Sequence, residues 1–95
     1  MSVTEYATLC VVDGQPVPVG QEPALARQQV TFTGTAGTSA AFNTQTRFVR
    51  IFVDGVAALE FGSAPTAVTS TGSRAAAAST EFYGVIPGHK VSAVT

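Results

Sequence analysis

Residues Thr46 to Gly62 read TRFVRIFVDGVAALEFG. The stretch predicts two strands joined at Asp54-Gly55, a residue pair suited to tight turns. Apolar side chains fall on both faces of these strands. A small sheet needs only one apolar face to build a core. The second face asks for a second cover, and in a chain this short another molecule is the expected cover.

A register argument follows from the same residues. A two-residue Asp54-Gly55 loop would pair Ile51 with Ala58 and Val49 with Glu60, which sets an acid among aliphatics. A three-residue loop, Val53-Asp54-Gly55, puts Gly55 in the left-handed position of a bulged turn. It pairs Ile51 with Ala57 and Val49 with Leu59. Slipping by one residue exchanges the faces, so the apolar pattern decides. The expected core face is Val49, Ile51, Ala57, Leu59 and Phe61. The opposite face carries Phe48, Arg50, Phe52, Val56, Ala58 and Glu60, with the acid near Arg50. Phe48, Arg50, Phe52, Val56 and Glu60 are the expected oligomer interface, because two phenylalanines in water are a liability on a monomer.

Outward from this hairpin the chain reads as short strands. Val3 to Val12 predicts one strand, closed by Asp13-Gly14. Residues 13–28 predict a Pro-containing arm or long loop, since Pro16, Pro18 and Pro23 lack backbone donors; a helical turn is expected around Ala24 to Gln28. Gln29 to Thr35 reads as a strand. Residues 63–80, SAPTAVTSTGSRAAAAST, are low in complexity. They predict a short strand near Thr66–Thr69, a turn at Thr71-Gly72-Ser73 and a further extended piece. Glu81 to Ile86 is a strand, Pro87-Gly88 a type II turn, and His89 to Val94 the closing strand. The whole predicts one all-β domain over residues 1–95: a small antiparallel β-sandwich or jelly-roll-like barrel of about six to eight short strands.

Composition narrows the function. Only 12% of the 95 residues are charged, about half the usual share, and a low-charge surface is poorly protected against association. That suits a protein of an assembly. The net charge of −1 and the scattered Arg27, Arg47, Arg50, Arg74 and Lys90 give no basic field for nucleic acid. The single Cys10 permits no internal disulfide and, within LCVV, reads as a small buried hydrophobe. No signal peptide or membrane-length apolar run is visible, so the chain is expected to fold in the cytosol.

Chemistry-bearing residues are sparse. His89, the only histidine, has no partner adjacent in sequence and reads as a surface or hydrogen-bonding residue. A Cys10–His89 nucleophile pair would need a lowered thiol pKa, and no basic neighbour supplies one. Glu5, Asp13, Glu22, Asp54, Glu60 and Glu81 could supply a glycosidase pair, but such pairs need a deep cleft. No metal-ligand spacing and no phosphate loop occur. The expectation is a non-enzymatic protein without catalytic, cofactor or metal residues.

Two segments carry a resemblance. Phe48 to Ala67, FVRIFVDGVAALEFGSAPTA, and Glu81 to Val94, EFYGVIPGHKVSAV, resemble small tailed-bacteriophage proteins often encoded near head genes. The shared positions are Val49-Arg50-Ile51, Glu60-Phe61-Gly62, Pro65-Thr66-Ala67 and Glu81 through Val91. The match spans about a third of the chain and consists of strand and turn patterns; the first 45 residues add little. The resemblance implies a virion structural protein of jelly-roll type that decorates and cements the capsid. Its partners would be itself, as a dimer or trimer, and the major capsid protein, with no nucleic acid and no membrane. Its place would be the capsid surface, after synthesis in the bacterial cytoplasm. Two other classes stand beside it: a fibre or receptor-binding module using Tyr6, Phe82 or Tyr83 as a glycan platform, and a scaffold-like or head-tail completion protein.

Overall fold

The computed structural model describes residues 1–70 and 72–95. It is all-β. Ten strands are described: β1 (Ser2–Tyr6), β2 (Leu9–Val12), β3 (Gln15–Gly20), β4 (Ala26–Gln29), β5 (Gly37–Thr38), β6 (Phe48–Val53), β7 (Ala57–Gly62), β8 (Ser73–Ala75), β9 (Ser79–Gly84) and β10 (Lys90–Val94). Eight of them form two four-stranded antiparallel sheets, ordered β4-β1-β6-β9 and β5-β10-β7-β8. The remaining two, β2 and β3, make a hairpin that pairs with neither sheet. From β4 to β7 every strand changes sheet, as the chain of a jelly roll does.

The core lies between the sheets. Val3, Val49, Ile51 and Val53 of the first sheet meet Ala57, Leu59, Val91 and Ala93 of the second. Met1, Val30, Phe42 and Ala75 complete the cluster. Strand alternation explains the choice: every second residue of β6 is buried, as a half-buried strand requires. The expected core face, Val49, Ile51, Ala57, Leu59 and half-buried Phe61, is thus on the inside.

The expected hairpin is not formed. β6 pairs with β1 and β9, while β7 pairs with β10 and β8. Asp54-Gly55 turns a corner between sheets, and the Asp54 carbonyl accepts from Ala78 N at 3.2 Å. Gly55 is not among the positive-φ glycines, which are Gly14 and Gly88, so the bulged turn is absent. The physical reason is in the pattern itself. Two successive strands with apolar inner faces can either lie side by side or face each other across a core. Facing each other buries both inner rows and leaves Val53 inside at 1% exposure, where a turn would have exposed it. Val49 and Leu59 therefore sit on facing sheets instead of side by side. Glu60 moves with β7 to the second sheet, away from Arg50.

Other boundaries also shift. The chain bends at Ala7-Thr8, so Val3–Val12 is two strands. Asp13 and Gly14 have φ of 49° and 77°, the mirror-image turn that suits a two-residue hairpin. It folds Gln15–Gly20 back onto β2, so the first half of the expected arm is a strand, with a register shift between Leu9 and Val11. Pro16 is accommodated because this ladder is an edge. The second half enters the first sheet as β4; no helical turn forms at Ala24–Gln28, because those residues find backbone partners on β1. The strand expected at Gln29–Thr35 ends at Gln29. Thr66–Thr69 is not a strand either. The turn expected at Thr71-Gly72-Ser73 includes a position outside the described residues. Gly88 has φ of 83°, and His89 N donates to Ile86 O at 3.1 Å, as the expected type II turn demands.

Low-complexity residues 63–70 do specific work. Ala67 packs on Ala58 and Val94 against the outer side of the second sheet, and Ala67 N donates to Ser92 Oγ at 3.0 Å. Gly72 N donates to Val68 O at 2.9 Å. A Cβ at Gly72 would stand 3.0 Å from Ala58 Cβ, so the close approach needs small residues on both sides. The chain thus covers the second sheet's outer face itself.

Candidate functional site

Among the described residues, the first sheet's outer face is covered at its Tyr6 end and open at Phe52 and Phe82. This face is built from the residues that alternate with the core rows. The ladder places Tyr6 beside Phe48, Thr4 beside Arg50, and Ser2 beside Phe52. Arg27 is paired with Thr4 on one side, and Phe82 with Arg50 on the other. Strand geometry puts such directly opposed residues on one face within reach of each other.

Three rings form a cluster at one end of this face. Tyr6 and Phe48 stack with centroids 5.4 Å apart and planes 19° apart. Phe82 tilts against Phe48 at 6.0 Å and against Tyr6 at 6.5 Å. Tyr6 is only 2% exposed. A Cβ on Gly20 would fall within 2.5 Å of its ring, so the glycine at the end of β3 lies directly against it. Phe52 and Phe82 remain open at 37% and 44% exposure, with exposed Arg50 between them in the ladder. Leu9, at the base of the hairpin, lines a shallow apolar depression with Phe48 and Phe82.

Charge on this face is ordered by one short network. Tyr6 Oη donates to Glu22 Oε2 at 2.7 Å, and Arg27 Nη2 stands 3.5 Å from Glu22 Oε1 in an exposed ion pair. The Tyr6 hydrogen bond holds the Glu22 carboxyl below its ordinary pKa, with a smaller contribution from Arg27. Burial, and then the Glu22 hydrogen bond, raise Tyr6. Arg50 has no carboxylate within ion-pair distance among the described residues; Glu22 is near enough for the charge to be felt and no nearer.

Of the five expected interface residues, the fold unites Phe48, Arg50 and Phe52. Val56 is exposed in the corner between the sheets, and Glu60 is half-buried on the second sheet opposite Ser92. Phe82 and Tyr6 join the face although the sequence separates them widely; only the non-local pairing of β1, β6 and β9 brings them together. Tyr83 points the other way, against Phe61 at 5.1 Å, so Tyr6, Phe82 and Tyr83 do not form one platform. Cys10 is half-exposed on the projecting hairpin instead of buried. His89 is half-buried, beside the turn that Phe42 N ties to its carbonyl at 2.8 Å.

Buried polar groups are structural. Glu5 points into the sandwich end and accepts from Asn43 N at 2.8 Å, Thr46 Oγ1 at 2.8 Å and Gln28 Nε2 at 3.0 Å. Sequence reading missed it, because an acid inside a strand registers there as polar and outward. Among the described residues no three His, Cys, Asp or Glu side chains gather as metal ligands, and no helix is long and apolar enough to cross a membrane. Comparisons with protein-family models, with curated proteins and with solved structures find no match to the chain.

Proposed function

We propose that the chain is a non-enzymatic structural protein that decorates and cements the capsid of a tailed bacteriophage, acting as a homo-oligomer on the capsid surface. The observation that carries this reading is the unequal covering of the two sheets. The second sheet's outer face is closed by the chain's own residues 63–70. The first keeps Phe48, Phe52 and Phe82 around a guanidinium that has no ion-pair partner among the described residues. A face of that composition suits burial against a sister subunit, since aromatics and arginine dominate the anchors of interfaces. The strand-and-turn resemblance at Phe48–Ala67 and Glu81–Val94 supplies the capsid. Many weak contacts repeated over a shell would then add up through multivalency.

The test is to count this chain against the major coat protein in purified particles by quantitative mass spectrometry. Near-stoichiometric abundance supports cementing, with loss of shell stability in particles lacking the chain. A handful of copies points to a fibre or completion protein, and absence removes the virion role.

A further inference from the structure

The hairpin β2–β3 is the least supported part of the molecule. It pairs with neither sheet, yet it exposes Val11 at 58%, Val12 and Val19. A lone two-stranded hairpin is marginal in water, and an exposed apolar arm asks for a surface. The same chain exposes two aromatic rings, Phe52 and Phe82, on the outer face of the first sheet.

The arm's base is fixed to its own sandwich. Gln21 N donates to Thr8 O at 3.0 Å and closes the hairpin; Leu25 N donates to Glu5 O at 2.8 Å. Tyr6 Oη holds Glu22, and Gly20 lies against the Tyr6 ring. The arm's base therefore covers the Tyr6 end of the face, while Phe52 and Phe82 stay exposed. Charge adds a second match. Asp13, at the hairpin's turn, is the one acidic or basic residue of Leu9–Gly20, and Arg50 lies at the centre of the exposed face.

The geometry points to an arm-to-face contact between copies: the β2–β3 hairpin of one chain lies on the Phe52/Phe82 face of the next, with Asp13 reaching Arg50. Two different patches meet, so the contact can repeat from copy to copy, and it gives a ring where the rotation between copies closes. This names the sister-subunit contact invoked above and rests on the oligomeric part of that reading, not on the capsid.

The experiment uses two full-length variants and sedimentation velocity. Val11→Asp/Val19→Asp spoils the arm and keeps the face. Phe52→Glu/Phe82→Glu spoils the face and keeps the arm. Each is expected to be a folded monomer by circular dichroism, whereas the unaltered chain forms one discrete oligomer. An equimolar mixture retains one good junction and should give a dimer of the two variants and nothing larger. A mixture that stays monomeric, an arm variant that keeps the full oligomer, or an unaltered chain that is monomeric overturns the proposal. As an independent readout, Asp13→Arg and Arg50→Asp should each weaken self-association about tenfold, and the double exchange should restore it; no restoration overturns the Asp13–Arg50 contact. Particle counts report separately. Abundance in particles with a monomeric chain in solution rejects the ring alone, and a ring absent from particles rejects the cement role alone.

Discussion

Thr46 Oγ1 donates a 2.8 Å hydrogen bond to Glu5 Oε1, joining two fully buried side chains 41 residues apart. The bond ties the loop before β6 to the first strand. Asn43 N and Gln28 Nε2 complete the carboxylate's partners, so β1, β4 and the loop share one anchor. A buried polar group deprived of its partner costs its desolvation, and hydrogen bonds to charged groups are worth about 1.5–3 kcal/mol. Thr46→Val should therefore destabilise the fold by about 2 kcal/mol, a fall of roughly 10 °C in Tm for a domain of this size. Glu5→Ala, which strands three donors, should cost more, about 3 kcal/mol or above. Thermal melts of the two variants check this. An unchanged Tm in Thr46→Val would show that the bond is not formed.

Gly55 separates the observed fold from a β6–β7 hairpin, and Gly20 gives a contrasting case. Gly55 has open space around its absent Cβ and no positive φ. Gly55→Ala should stay within about 0.5 kcal/mol of the parent. In the hairpin register the same change would strain a left-handed residue by about 1–2 kcal/mol. Gly20→Ala is the opposite case. Its Cβ must displace the Tyr6 ring, which is stacked on Phe48, so overpacking should cost about 1–3 kcal/mol. Urea titrations of both variants rank them, and a Gly55→Ala that falls as far as Gly20→Ala contradicts the corner.

The inner and outer rows of β6 and β7 were legible because strand alternation needs only local sequence. Val49, Ile51, Ala57 and Leu59 are inside whichever strands they pair with. Pairing itself was not legible. Asp54-Gly55 has the composition of a hairpin turn, and whether it closes a hairpin or rounds a corner depends on β1 and β9, which lie far away in sequence. The true hairpin used the same residue pair at Asp13-Gly14, where both residues have positive φ. The prolines of β3 masked it, since proline counts against a strand unless the strand is an edge. For the candidate face, Phe48, Arg50 and Phe52 were readable from one strand. Tyr6 and Phe82 needed the sheet order, and the cover by residues 63–70 needed the packing of alanines that carry no pattern.

Alkaline titration tests the environment of the chain's two tyrosines. Burial and the hydrogen bond from Tyr83 Oη to Glu81 Oε2 at 2.9 Å push Tyr83 up to about 12. Tyr6 is raised as well, by burial and by Glu22. A raised folded pKa gives stability that is whole below the unfolded value of 10.0 and is lost as pH climbs through the folded value. Absorbance near 295 nm should show Tyr83 protonated and Tyr6 less than half ionised at about pH 10 in the native chain, with both about half ionised in urea. Equal titration in the two states would mean that neither ring is sheltered.

The acid side is governed by the contact that fixes the base of the arm. Glu22 is held below the usual carboxylate range, first by Tyr6 Oη and then by Arg27. A depressed folded pKa gives stability that is present above the unfolded value and fades as pH falls through the folded one. The Tm of the parent should therefore exceed that of Tyr6→Phe near neutrality, and the gap should narrow as pH falls below the ordinary value of 4.5 and Glu22 protonates. Glu22→Gln should flatten the same pH dependence while keeping the ring packing of Tyr6 on Phe48 and Gly20. A gap between parent and Tyr6→Phe that is constant from neutral to acid pH would show that the tyrosine contributes by packing alone. The arm's base would then be held by backbone hydrogen bonds, with no carboxylate in the latch.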